Sequence, residues 1–206
     1  MFYFDNPKSP YKKLYISSKI KIVNEKDYNK MIAINNINKN EILIEEYSEI
    51  NLFGEKNIDK ALQVMKKYIL LNENELYPRD KNYIKTSMLK DIHKIIKKSD
   101  VKLQNFFSNY DKETIEFYYA KYLYNSFEGY NYGPLTLPTI AKINHSCNNN
   151  VNYNFNKLKG IMIVTSNRNI KANEELFDNY LSNKYIKDHK NYLLNHYGFD
   201  CKCIEK

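Results

Sequence analysis

The chain has 3 cysteines. Cys201 and Cys203 stand one residue apart near its end, and Cys147 lies far upstream. An odd number with C-x-C spacing suits thiolates held reduced for a metal better than a disulfide framework. Cys147 closes the string Asn144-His145-Ser146-Cys147, which brings an amide, an imidazole and a thiol close together. A second string, Glu174-Glu175-Leu176-Phe177-Asp178-Asn179-Tyr180, ends on a phenol, and a third runs Tyr197-Gly198-Phe199-Asp200-Cys201-Lys202-Cys203. Among 20 tyrosines, only the preceding Glu174-Glu175-Leu176 makes Tyr180 more than an ordinary core aromatic. His93, His189 and His196 lack such neighbours and read as hydrogen-bonded core or surface residues.

In order and rough spacing, these strings resemble the N-H-S-C, E-E-[IL]-x-x-x-Y and Y-x-F-x-C-x-C signatures of SET-domain protein lysine methyltransferases. Asn125-Ser126-Phe127 and the run from Leu135 to Ile143 look like the N-S-F and hydrophobic approach of the SMYD-type branch. The MYND zinc finger of that branch needs more cysteines than the 3 present. The resemblance implies an α+β SET-domain fold of small curved β-sheets with a knot-like C-terminal segment. One domain would span 1–206, with a helical insert at about 47–128 and a C-terminal helix and short post-SET tail at about 183–206.

The activity it implies is methyl transfer from S-adenosylmethionine to the side-chain amine of a protein lysine, histone or non-histone. That chemistry is an in-line displacement by a neutral amine, which needs alignment, exclusion of water and a deprotonated nitrogen. A narrow apolar channel favours the neutral amine. By resemblance, Tyr180 is catalytic and orients amine and methyl group. Asn144 reaches the amino-acid end of the cofactor, His145 presents its backbone to the adenine, Asn29 and Asn125 are further cofactor contacts, and Phe199 stacks on adenine. Cys147, Cys201 and Cys203 correspond to three of the four thiolates of the family's structural zinc site, with Lys206 at the fourth position. Tetrahedral zinc needs four ligands, so Glu205, a histidine or water completes this set, or the site is lost and the cysteines are metal-free. The family's G-x-G falls at Tyr28-Asn29-Lys30, where side chains stand in place of close backbone approach. Either this loop is rebuilt or cofactor affinity is reduced; the alternative function is a catalytically impaired SET-like protein-binding module. A basic zinc or nucleic-acid adaptor ranks third.

Periodicity supplies elements to position these residues. Alternation predicts a strand from Leu14 to Val23, and two more at Met31 to Ile34 and Glu41 to Glu45, joined by an Asn-rich turn as a small meander. Helical period runs from Ile58 through Ala61, Leu62, Met65, Tyr68 and Ile69, and again from Tyr83 to Lys98. A third helix starts at an Asp111 cap and carries Ile115, Tyr118, Tyr119 and Tyr122. Val151 to Phe155 and Ile161 to Thr165 read as strands, Lys184 to Asn195 as a short amphipathic helix, and no internal repeat is evident. The acidic run Glu45-Glu46-Tyr47-Ser48-Glu49 reads as a solvated turn, or alternatively as a greeting for a basic substrate peptide.

Composition sets the outer bounds. At 206 residues and 43% hydrophobic, the chain can bury one sizeable core. Its net charge of +8 comes with a general bias toward Asn, Lys, Ile and Tyr and no arginine cluster, so direct nucleic-acid binding is not expected. The expected partner is a protein or peptide bearing lysine. With no membrane-spanning apolar run and no signal-peptide pattern at Met1-Phe2-Tyr3, a soluble intracellular protein is expected, its place in nucleus or cytoplasm open.

Overall fold

The computed structural model describes residues 14–25, 28–47, 76–78, 80–98, 110–128, 134–181 and 188–202, with a few more between 101 and 108. In chain order it has β1 (Leu14–Ile16), β2 (Ile20–Asn24), β3 (Asn29–Ala33), β4 (Ile42–Tyr47), α1 (Thr86–Lys98), α2 (Lys112–Tyr124), β5 (Ser126–Glu128) and β6 (Pro134–Thr136). β7 (Asn144–His145), β8 (Val151–Asn156), β9 (Ile161–Ser166), β10 (Phe177–Asp178) and α3 (His189–Tyr197) follow. The chain divides into two compact units, Met1–Ser48 with Thr139–Lys184, and Glu49–Pro138 with Tyr185–Lys206.

The first unit is built of strands. β1, β4, β9 and β8 lie side by side in one antiparallel sheet. Separate two-stranded sheets are the β2–β3 hairpin and the parallel pair β7–β10. Ile44, Val151 and Val164 are fully buried on one face of this sheet, the positions that β-branched and aliphatic residues fill, and Leu43 is buried at the register shift just before Ile44. The strand expected from Leu14 to Val23 is broken: the Ser17 N–H bonds to the Leu43 carbonyl at 2.8 Å, and Ser17 Oγ accepts from the Lys19 N–H at 3.2 Å. The chain thereby leaves β4 and turns to pair with β3. The expected meander is corrected too, because β3 pairs with β2 while β4 pairs with β1 and β9.

A repeat that the sequence reading missed joins the two chain segments of this unit. Asn36-Ile37-Asn38-Lys39-Asn40-Glu41 and Asn169-Ile170-Lys171-Ala172-Asn173-Glu174 share the pattern N-I-x-x-N-E. Ile37 and Ile170 exchange both backbone hydrogen bonds at 2.9 Å. Asn169 Oδ1 accepts from the Lys39 N–H at 2.9 Å, and Asn36 Oδ1 from the Ala172 N–H at 3.0 Å. Asn40 and Asn173 both take the left-handed conformation at φ 68°, which asparagine tolerates better than other residues with a Cβ. Each glutamate then accepts from the N–H three residues back, at 2.6 Å for Glu41 and 3.0 Å for Glu174.

The second unit is mainly helical among the described residues. Asp111 caps α2 as expected, its Oδ1 accepting from the Thr114 N–H at 2.9 Å. α1 buries Met88 and Ile92, the face its period indicated, but starts at Thr86 because Asp80 caps a separate 3-10 turn at Lys81–Tyr83. α3 starts at an Asp188 cap and stops at Gly198, whose N–H bonds to the Leu193 and Leu194 carbonyls at φ 79°. Tyr77, Tyr124, Tyr197 and Phe199 form a chain of ring contacts with centroids 5.1, 5.9 and 6.3 Å apart. The helix expected from Ile58 lies outside the described residues.

Candidate functional site

Two of the three sequence strings meet in the first unit. The parallel register sets Phe177 beside Asn144 and Asp178 beside His145. A fully buried asparagine, Asn150, bolts the strings together: its Nδ2 donates to the Glu175 carbonyl at 2.8 Å and to Glu174 Oε1 at 3.2 Å, and its Oδ1 accepts from the Phe177 N–H at 2.7 Å. Arg168 holds the Glu174 carboxyl below the usual carboxylate range. The Asn144 Nδ2 donates to the Asn29 carbonyl at 3.0 Å and to Glu175 Oε1 at 2.8 Å. Asn29, Asn144 and Glu175 therefore converge.

Tyr180 is fixed at both ends. Its hydroxyl donates to the carbonyl of buried Ile143 at 3.0 Å, and its N–H donates to His145 Nδ1 at 3.1 Å. The two rings lie 5.2 Å apart. Because His145 Nδ1 accepts, the neutral imidazole carries its hydrogen on Nε2, which faces Cys147 Sγ at 3.4 Å. That tautomer makes His145 a hydrogen-bond donor to sulfur. Binding a metal through Nε2 would require an imidazolate, so the nitrogen is a poor candidate for a missing zinc ligand.

Two acids in this unit are buried. Asp178 is 7% exposed, and burial pushes its carboxyl up to about 6, against the Asn179 N–H and the Tyr153 hydroxyl, which favour the charged form. Glu46 is 6% exposed, and burial pushes it up to about 7, against the backbone N–H groups of Thr139 and Ile140. For Glu46 the solvated-turn expectation is corrected: β4 continues through Tyr47, and its pleat turns Glu46 inward. These two backbone donors and the Thr139 side chain compensate part of the desolvation.

Residues 29–181 match the SET domain family. The chain belongs to it. A SET domain-containing protein of Acanthamoeba polyphaga mimivirus is 41% identical over 123 residues, 58% of this chain and 46% of the viral protein. The histone-lysine N-methyltransferase SET5 of Yarrowia lipolytica is 39% identical over 67 residues, 32% of this chain and 15% of that protein. The chain thus spans less than half the length of these curated relatives. Among solved structures, the SET domain of LSMT bound to lysine and AdoHcy superposes with a TM-score of 0.58 at 15% identity, covering 90% of this chain and 54% of that one. Rubisco LSMT bound to sinefungin and monomethyllysine gives 0.55 at 16% identity, covering 90% and 53%. These likenesses show a SET-domain fold, α+β with small sheets and helices.

The remaining candidates of this SET-domain chain fall in its second unit. Asn125 is buried at the end of α2, and its Nδ2 donates to the Tyr77 and Lys121 carbonyls, each at 2.6 Å. Phe199 is half-buried against Tyr197, and Cys201 is buried. Cys203 lies outside the described residues. Asn150, Glu175 and Glu46 were not singled out as site residues by sequence. Asn150 hides in the run Asn148-Asn149-Asn150 of an asparagine-rich chain, and the only signal for Glu46 was its place in strand alternation after Ile44. No helix among the described residues is long and apolar enough to cross a membrane.

Proposed function

We propose that this chain is the catalytic portion of an S-adenosylmethionine-dependent protein lysine methyltransferase, with Tyr180 as its catalytic residue. The observation that carries this reading is the bond from the Tyr180 hydroxyl to the Ile143 carbonyl. A phenol that gives its hydrogen to a fixed backbone acceptor meets any further donor through its oxygen lone pairs. Those lone pairs can accept from an incoming amine and from the polarised C–H bonds of a methyl group, holding both in line.

The bound cofactor supplies an electrophilic methyl group on a sulfonium. The residues present fit its amino-acid end. With Nδ2 of Asn144 engaged by protein, its Oδ1, the Glu175 carboxylate and the Asn29 carbonyl make an acceptor-rich cluster suited to an ammonium group. At the altered G-x-G, Lys30 turns to Glu25 at 2.6 Å and Tyr28 is exposed, which favours a rebuilt loop over a blocked one. His145, Asn125 and Phe199 complete the proposed cofactor set.

Membership in the SMYD-type branch without the MYND finger, the knot-like segment, the single domain over 1–206 and the post-SET tail belong to the same proposal. They rest on Asn125-Ser126-Phe127 and on the tail motif. Cys147, Cys201 and Cys203 would hold a structural zinc, and the Nε2–H of His145 is the kind of donor that supports a zinc-bound thiolate. The substrate would be a lysine-bearing protein or peptide.

Calorimetric titration with S-adenosylmethionine, followed by methyl transfer to lysine peptides, tests the reading. Tyr180→Phe should keep cofactor affinity while lowering turnover by roughly one to three orders of magnitude. A parent protein that binds lysine peptide but no cofactor would instead be a SET-shaped binding module.

A further inference from the structure

The carboxyl group of Glu46 accepts from two successive backbone N–H groups, Thr139 at 3.0 Å through Oε1 and Ile140 at 2.9 Å through Oε2. These open the 3-10 turn Ile140–Lys142, whose first residues have no side-chain cap of their own. The turn closes when the Ile143 N–H bonds to the Ile140 carbonyl at 3.0 Å. Ile143 then presents the carbonyl that receives the Tyr180 hydroxyl, and Asn144 and His145 follow at once. Across the sheet Glu46 stands opposite Leu14 and Met162, which offer it no polar group. Lys142 is the charged residue that acts on it.

We infer that Glu46 is a positioning residue for the site: its carboxylate sets the 139–143 turn and so fixes the carbonyl that orients the Tyr180 hydroxyl. A carboxylate can satisfy two donors side by side because both of its oxygens accept. Neither a glutamine nor a protonated acid can, since one of its two heads is then a donor or a weak acceptor. Glu46 touches none of the reacting groups. It acts through a short covalent path of rigid backbone, and misplacement of about 1 Å at a reacting centre can cost a hundredfold in rate.

The consequence for rate rests on the proposed methyl transfer, but the placement can be measured without it. Glu46→Gln keeps the size and removes one acceptor, Glu46→Asp keeps the charge and withdraws it by one methylene, and Glu45→Gln on the same strand is the control. In the folded parent, the Thr139 and Ile140 amide resonances should titrate together with Glu46, which burial pushes up to about 7, and should not titrate in Glu46→Gln. The Tyr180 ring resonance, assigned by its loss in Tyr180→Phe, should shift in Glu46→Gln and Glu46→Asp and stay fixed in the control. With an active parent, kcat should fall roughly ten- to a hundredfold in Glu46→Gln, while KM for peptide and affinity for S-adenosylmethionine change less than about threefold. Amides that do not titrate in the parent, or a Tyr180 resonance unmoved when the amides move, would overturn the inference. A parent inactive on every lysine peptide would overturn the functional reading instead, and the Tyr180 resonance would still judge Glu46.

Discussion

In the first unit single polar side chains fasten lengths of backbone, as Asn150 does for residues 174–177, Asn144 for Asn29 and Glu46 for the turn at Thr139. The second unit has such bolts too, in Asn125 on the Tyr77 and Lys121 carbonyls, Lys121 on the Leu76 carbonyl and Tyr124 on the His196 carbonyl. Among its described residues, however, it adds the ring chain from Tyr77 to Phe199 and the aliphatic face of α1. Hydrogen bonds are directional and weaken steeply once the donor angle falls below about 120°. Apolar packing is non-directional and spreads its contribution over many weak contacts. The tyrosine proposed to act in catalysis is itself held at both ends by directional bonds. That is the construction required where a hydroxyl must stay within about 0.5 Å of its working place.

The contrast can be broken most severely at Asn150. Asn150→Leu conserves approximate volume but strands the Phe177 N–H and the Glu175 carbonyl, and should cost about 4 kcal/mol of unfolding free energy. Denaturant titration of the variant checks it; a loss below about 1 kcal/mol would mean that water or a shifted strand replaces the bolt. In the second unit the equivalent injury is to volume, so Ile92→Ala should cost about 3 kcal/mol by opening a cavity. A third test uses pH. Burial pushes the Glu46 carboxyl from its ordinary value of 4.5 up to about 7 in the folded chain, so its stabilising contribution is complete below pH 4.5 and is lost as pH rises through about 7. Relative to Glu46→Gln, the parent should lose about 2–3 kcal/mol between pH 4 and pH 8, read from melting curves across that range. The smallest effect is local. At Gly198 a Cβ would lie 2.1 Å from Lys85 Cε at φ 79°, and because that lysine end can move, Gly198→Ala should cost only about 1 kcal/mol, measured by thermal melting.

Periodicity served the second unit better than the first. Met88 and Ile92 on α1 and the Asp111 cap of α2 follow from spacing and cap chemistry, which act within a few residues of sequence. In the first unit the strands around Val151 and Ile161 were legible by alternation, but their partners were not, since pairing of β4 with β9 joins residues far apart in sequence. Asn29 and Asn144 were named as candidates through motif resemblance, and the structure brings them into contact. Asn150 and Glu46 were not, because burial decides their roles and nothing in an asparagine-rich loop or an acidic run announces it. The paired N-I-x-x-N-E turns escaped notice because a repeat of six residues is short against so strong a compositional bias.

Those paired turns give the first unit an internal two-fold relation. Each half offers the other the same asparagine cap and the same isoleucine backbone, as two copies of one subunit do across an isologous dimer contact. The segments that carry them, Met1–Ser48 and Thr139–Lys184, are separated in sequence by a stretch that belongs wholly to the second unit. Their meeting surface is thus self-complementary and local, and the length or content of the intervening chain does not enter into it. A chain organised in this way can admit insertions of very different size at that point while its two strand-bearing segments still find each other in register.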